Sequence, residues 1–280
     1  MRYSPRLPSA LAPAFALIMA MGGAALPLAA KAGPTTQDEV LQARVLTGWQ
    51  QADGSRMAAL RLDLAPGWKT YWRSPGEAGI PPQFDWSASV NVKTVRLHWP
   101  APVVFESNGL RSIGYRDQLV LPVEVTPVDP AKPVRLVAGV DLGICQDICL
   151  PASVVLDTSI EGKGAPDRMI EAALKARPRS AREAGLAGIR CKVEPIADGL
   201  RLSADLGLPQ QGKSETVAFE TSDRTIWVSE SVAARRGATL TASAELVAPS
   251  AQPFALDRSG IILTVISERG AVEVRGCPAG

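Results

Sequence analysis

One histidine, His98, serves the whole 280-residue chain, which removes multi-histidine metal sites from consideration. Set in Arg96-Leu-His98-Trp-Pro100, it reads as a strand residue on a polar face rather than as a catalytic base. Phosphate-cradling glycine loops, paired-carboxylate motifs and nucleophile elbows are missing as well. Charge of one sign is not in excess, with 30 Lys and Arg against 28 Asp and Glu. Arg2, Arg6 and Lys31 lie in the first 32 residues, which hold no acid, so the remainder has 27 bases and 28 acids. A chain so balanced has no electrostatic footprint for nucleic acid. Beyond residue 32, no apolar run is long enough to span a bilayer.

The N-terminus has a different character. Arg2 and Arg6 precede an uncharged stretch from Leu11 to Ala30, and Ala30-Lys31-Ala32 places small residues at a cleavage site before Gly33. That is the layout of a secretory signal peptide over residues 1–32. An uncleaved anchor is the alternative, but Pro13, Pro27 and Gly22-Gly23 weaken a spanning helix. The expected location is the periplasm.

Glycine (24) and proline (23) are scattered between short apolar runs, the texture of β structure. Leu41–Trp49, Met57–Leu64, Val92–Trp99, Leu119–Val125, Val134–Asp141 and Ser153–Thr158 read as strands, and together suggest a β-sandwich over residues 33–160. Met169, Ile170, Ala173 and Leu174 then recur at helical spacing, with Asp167 early, Lys175 late and Pro178 as a stop. Residues 161–187 are expected to form a helical linker. Strand patterns resume from Ile189 to Arg275, so residues 188–280 are expected to form a second, smaller β-sandwich. The fold class is all-β.

Four cysteines in an exported chain point to disulfides. Cys191 and Cys277 bracket the second sandwich, and joining them would staple a long loop. A second redox pair is the alternative, disfavoured by their separation. Cys145 and Cys149, in Gly143-Ile-Cys145-Gln-Asp-Ile-Cys149-Leu-Pro151, are the candidate catalytic pair. Closing so small a ring restrains the unfolded chain weakly, so the pair is a poor staple. It is a good redox switch, because both thiols stay adjacent after reduction and one can resolve a mixed disulfide. Three other readings stay open: a structural hairpin disulfide, a two-thiolate Cu(I) site, and two unpaired buried cysteines.

Pro66-Gly-Trp68-Lys-Thr-Tyr71-Trp72, Ile113-Gly-Tyr115-Arg116-Asp117-Gln-Leu-Val-Leu-Pro122, and the cysteine segment lie in order along the chain. In these segments residues 66–158 resemble the N-terminal periplasmic (DsbD-alpha-like) domain of the DsbD/ScsB thiol:disulfide interchange family. The resemblance implies an immunoglobulin-like sandwich and a thiol:disulfide oxidoreductase component without a cofactor or metal. It also implies electron flow through Cys145 and Cys149. The donor would be a membrane-embedded thiol reductase of DsbD or CcdA type, and the acceptors periplasmic thioredoxin-fold disulfide oxidoreductases. DsbD spaces its cysteines more widely, and ScsB-like members are closer. DsbD also covers its pair with a Phe-Tyr-Gly loop. Here Phe105-Glu-Ser-Asn-Gly109 keeps the glycine and not the aromatic pair. Shielding or partner contact is therefore assigned to Phe105, Trp68 and Tyr71, with Tyr115 and Asp117 orienting the nearby loop. The family's membrane and thioredoxin-like domains have no counterpart in these 280 residues, so a separate transmembrane partner is expected. The second reading is a periplasmic Cu(I)-binding, copper-tolerance module using the same cysteines without turnover.

Overall fold

In a computed structural model, residues 36–107 and 109–279 are described, and the expected signal peptide lies outside them. A single helical turn, α1 (Gln37–Val40), leads into β1 (Leu41–Gln50) and β2 (Arg56–Leu64). There follow β3 (Lys69–Tyr71), β4 (Gln83–Asp85), β5 (Val92–Leu97), β6 (Val103–Ser107), β7 (Leu110–Arg116), β8 (Gln118–Pro127), β9 (Val134–Cys145) and β10 (Cys149–Ile160). They form two sheets, ordered β1-β2-β8-β5 and β10-β9-β3-β7-β6, with β4 paired to β9. Inward-facing Leu60, Leu62, Leu121, Val123, Leu136, Ala138 and Ile144 fill the space between the sheets. Alternation drives this arrangement. Leu60, Leu62 and Leu64 enter the core while Arg61 and Asp63, between them, turn out and pair at 2.8 Å.

Four of these strands lie outside the alternating runs of the sequence. β3 and β4 have three residues each, and β6 and β7 mix apolar residues with Glu106, Ser107, Arg111 and Ser112. Their pairing partners, not their own pattern, make them strands.

The linker helix α2 (Arg168–Lys175) is capped by Asp167, whose carboxylate accepts the Met169 and Ile170 N–H groups at 2.8 and 3.0 Å. Such a cap contributes about 1 kcal/mol. The helix does not stand free. Ile170 is fully buried against Met57 and Ala59 on the outer face of the β1-β2-β8-β5 sheet, flanked by Leu46, Trp49, Val120 and Leu174. That explains why β2 is buried on both faces at its start. Burying one isoleucine there is worth about 1.5–3 kcal/mol.

The second sandwich follows: β11 (Arg179–Ser180), β12 (Ile189–Ile196), β13 (Gly199–Gly207), β14 (Thr216–Glu220), β15 (Trp227–Val228), β16 (Val232–Arg236), β17 (Thr239–Val247), β18 (Ile262–Ser267) and β19 (Gly270–Arg275). One sheet runs β11-β19-β18-β14 and the other β12-β13-β17-β15, with β16 also on β17. Leu202, Leu206, Leu240, Leu246, Val265 and Val272 are among its core. Cys191 and Cys277 are buried there and disulfide-bonded across 86 positions, with Cα atoms 5.5 Å apart. Ala218, Ile266 and Ala271 turn the other way and join the first sandwich's core cluster. The described residues thus cluster as one unit, in which the two sandwiches pack directly.

Candidate functional site

The candidate site begins with hairpin geometry. β9 and β10 pair over twelve positions, from Val134↔Ile160 to Cys145↔Cys149 at the tip. Inside the tip, the Gln146 N–H donates to Ile148 O at 3.0 Å. Hydrogen-bonded and non-hydrogen-bonded pairs alternate along an antiparallel ladder, and the latter bring Cα atoms within about 4.5 Å. The cysteines occupy such a position, with Cα atoms 4.1 Å apart, and they are disulfide-bonded. Three intervening residues supply the bend that brings the two sulfurs together.

The two sulfurs differ in access. Cys145 is 1% exposed, whereas Cys149 lies on the exposed tip beside Ile148, itself 59% exposed. The Tyr71 hydroxyl donates to Cys145 Sγ at 2.9 Å and lies 3.6 Å from Cys149 Sγ. Strand register makes this contact. Lys69 pairs with Cys145 on one side and Arg116 on the other, so Cys149, Cys145, Lys69 and Arg116 form one row across the sheet. Residues of one row point to one face, and Tyr71, two residues beyond Lys69, shares that outer face. Burial pushes the Tyr71 phenol above its usual range, which keeps its proton available for donation at neutral pH.

Phe105 shares the neighbourhood. Lys69 Nζ and Arg116 Cζ lie 5.1 and 5.0 Å from its ring centroid, so the ring serves both cations. Among the described residues neither cation has an ion-pair partner, and Lys69 donates only to Ser112 Oγ at 3.4 Å. Burial first, and Arg116 second, lower the Lys69 pKa.

The other two aromatics named from the sequence face away. Trp68 and Tyr115 are turned into the sandwich core, where the Tyr115 hydroxyl donates to Pro100 O at 2.8 Å and its ring stacks on Trp99. The alternation that points Lys69 and Tyr71 outward sends Trp68 inward. Asp117 is exposed and adopts a left-handed φ of 63°, as Asp tolerates in turns. Its carboxylate accepts the Gly67 N–H at 2.7 Å, and its own N–H donates to Trp68 O at 2.9 Å. Asp117 thereby ties the β7–β8 turn to the start of β3. The structure brings Cys145, Cys149 and Tyr71 together, sets Phe105 beside Lys69 at the next row position, and leaves Asp117 as an organiser of the turn. Lys69 and Arg116 stand in motifs quoted above. Their place beside the cysteines is set by register, which no sequence window displays.

His98 pairs with Glu124 at 2.7 Å and lies 3.3 Å from Arg177, away from the cysteine row. Among the described residues no group of three or more His, Cys, Asp or Glu side chains could hold a metal ion.

Residues 37–159 match the family described as thiol:disulfide interchange protein DsbD, N-terminal. Over these residues the chain is similar to the DsbD N-terminal family. The crystal structure of the N-terminal periplasmic domain of ScsB from Proteus mirabilis is similar to the chain, with a TM-score of 0.67 and 22% identity. That likeness covers 88% of this chain and 97% of the ScsB domain, so the tandem of two β-sandwiches is common to both. No curated protein matches the chain. The Cys145–Cys149 disulfide closes the tip of the longest hairpin among the described residues. Among the described residues no helix is long and apolar enough to cross a membrane.

Proposed function

We propose that this protein works in the periplasm as a thiol–disulfide exchange carrier. It would take two electrons from a membrane-embedded thiol reductase of DsbD or CcdA type and deliver them, through Cys145 and Cys149, to thioredoxin-fold disulfide oxidoreductases. One observation carries the reading. An exposed cysteine is disulfide-bonded to a buried one, and a tyrosine hydroxyl is aimed at the sulfur of the buried one.

In the disulfide state the donor's thiolate attacks the reachable sulfur, Cys149 Sγ. The intramolecular S–S bond breaks, and Cys145 leaves as a thiolate that accepts the Tyr71 hydrogen bond. The donor's second thiolate then displaces Cys149 from the mixed disulfide. The donor ends oxidised, and Cys145 and Cys149 end as thiols after taking up two protons. Delivery runs the same bonds in reverse. Cys149 attacks the acceptor disulfide, and Cys145 attacks Cys149 Sγ and releases the acceptor as a dithiol. Lys69 and Arg116 contribute positive charge beside the row, which favours thiolate over thiol.

The test mixes the reduced protein with an oxidised thioredoxin-fold protein and follows thiol transfer by gel shift after alkylation. Transfer of two thiols per molecule is expected. No transfer to any thioredoxin-fold acceptor, under conditions where free dithiothreitol reduces it, would sink the proposal.

Two side-chain predictions follow from the same geometry. A hydrogen bond donated to a thiolate lowers the thiol pKa, so Tyr71→Phe should raise that of Cys145 and slow exchange about ten-fold at neutral pH. The raised phenol pKa means that wild-type protein should keep this advantage into the alkaline range, until the tyrosine itself ionises. Lys69→Met should slow exchange about three-fold at low salt and less at high salt. Because burial lowers the Lys69 pKa, its contribution should fade at a lower pH than an ordinary lysine's would. Stopped-flow rates against pH and salt for the two variants check both.

A further inference from the structure

Tyr71 points away from the sandwich core yet is only 2% exposed, so something else covers it. The cover is the connection from β3 to β4. Gly79 lies against the ring so closely that a Cβ there would come within 2.9 Å of Tyr71 Cδ1. Ile80 lies over Gly143, where a Cβ would meet Ile80 Cβ at 2.9 Å and Tyr71 Cε2 at 3.1 Å. On its inner side the connection is held by β7, with the Ile113 N–H donating to Pro75 O at 2.9 Å.

Its outer side is held by the second sandwich. Arg73, two residues past Tyr71, donates from Nε to Glu220 Oε1 at 2.7 Å and from Nη2 to Glu220 Oε2 at 2.9 Å. The same Nη2 reaches Glu273 Oε2, also at 2.9 Å. These three side chains are only 14–17% exposed. Burial alone would lower the Arg73 pKa, but the hydrogen bonds and charge of Glu220, then Glu273, outweigh it and raise the value. Further along, Glu77 Oε1 accepts the Glu230 N–H at 3.0 Å. Glu230 pairs with Arg111, which also donates to Ser231 O at 3.0 Å. A fork of this kind fixes geometry, and removing one partner strands a largely desolvated charge.

We propose that the second sandwich positions the exchange site: through Arg73–Glu220–Glu273 and Glu77–Glu230 it holds the connection of residues 72–82 down on Tyr71, and so keeps the hydroxyl at Cys145 Sγ and Cys145 closed to solvent. This rests on the reading of Cys145–Cys149 as the exchange pair. Arg73, Glu77, Glu220 and Glu273 are positioning residues, since none touches a sulfur. The second sandwich is then part of the redox machinery, although the cysteines it contains are a staple. A domain that served only to lengthen the molecule would have no reason to grip this one segment at two points, Arg73 and Glu77.

The test uses the full chain, reduced, and maps iodoacetamide modification of Cys145 and Cys149 against pH by mass spectrometry. In the wild type Cys149 should react first and Cys145 slowly. In E220Q/E273Q the rate at Cys145 should rise about ten-fold once its cover loosens, and its apparent pKa should move up as the Tyr71 donor is lost. Adding Tyr71→Phe to that variant should move the pKa no further, because both changes remove one interaction. Glu194→Gln, which breaks an exposed pair with Lys192 on β12 of the second sandwich, is the control and should change nothing. Should E220Q/E273Q fail to fold by circular dichroism, Glu77→Ala removes only the acceptor for Glu230, and a rise of about three-fold at Cys145 is expected. Wild-type rates and pKa at Cys145 in whichever of these variants folds would overturn the proposal. No partner protein enters the assay, so a failure of exchange with partners would count against the exchange reading and not against this one.

Discussion

Cys149→Ala should abolish disulfide exchange outright, whereas Cys145→Ala should leave a protein that attacks once and then stays bonded to its partner. The asymmetry follows from access. Cys149 is on the exposed tip, and Cys145 is 1% exposed behind Tyr71. With Cys145 removed, the reachable thiol can still open a partner disulfide, but nothing adjacent can resolve the mixed species. With Cys149 removed, the remaining thiol is buried and slow to meet any partner. Both variants should keep the wild-type fold. The ring that these cysteines close spans four positions and is worth only about 2 kcal/mol in the chain-entropy model. Non-reducing gels of each variant with an oxidised thioredoxin-fold partner should show a stable adduct for Cys145→Ala only. An adduct of equal yield with Cys149→Ala would reverse the assignment of the attacking sulfur.

The opposite balance of function and stability is expected for the other disulfide. Cys191→Ala/Cys277→Ala should cost about 4–5 kcal/mol, because the bridge closes 86 positions and loop-closure entropy grows with length. At roughly 2–4 °C per kcal/mol for a chain of this size, the melting temperature should fall by about 10–15 °C. Both cysteines lie in the second core, so the loss includes two small cavities in addition to the entropy. Rates of exchange at Cys149 should change little at temperatures where the variant is still folded. A thermal melt followed by circular dichroism, with exchange measured alongside at 15 °C, separates the two roles. A melting temperature within about 2 °C of wild type would show that the bridge does not restrain the unfolded chain as this model requires.

Much of the first sandwich is written locally. Leu60-Arg61-Leu62-Asp63-Leu64 alternates, and alternation commits a strand to one buried face. Asp167 ahead of Met169-Ile170 and Ala173-Leu174 marks a capped amphipathic turn of helix, and α2 stands there. Gly143 through Pro151 places two cysteines across a three-residue bend between apolar runs, which is enough to suggest a hairpin tip. Thr225–Ser231, by contrast, reads as a strand of seven residues and yields only Trp227–Val228, because Asp223 folds the preceding segment into a turn on the Thr225 N–H and hydroxyl.

Periodicity, turn chemistry and cysteine spacing therefore marked, from the chain alone, an all-β protein with two cysteines on one tight loop between strands. Tertiary structure decided which aromatics serve that tip: Tyr71 reaches Cys145 and Trp68 does not, a consequence of one residue of strand register. It also decided that the second sandwich grips the segment covering Tyr71, by way of Arg73 and Glu220, 147 positions apart. Local patterns survive in a one-dimensional text because they act over a few residues. A charge pair across so long a separation leaves no trace there until folding closes the loop between its members.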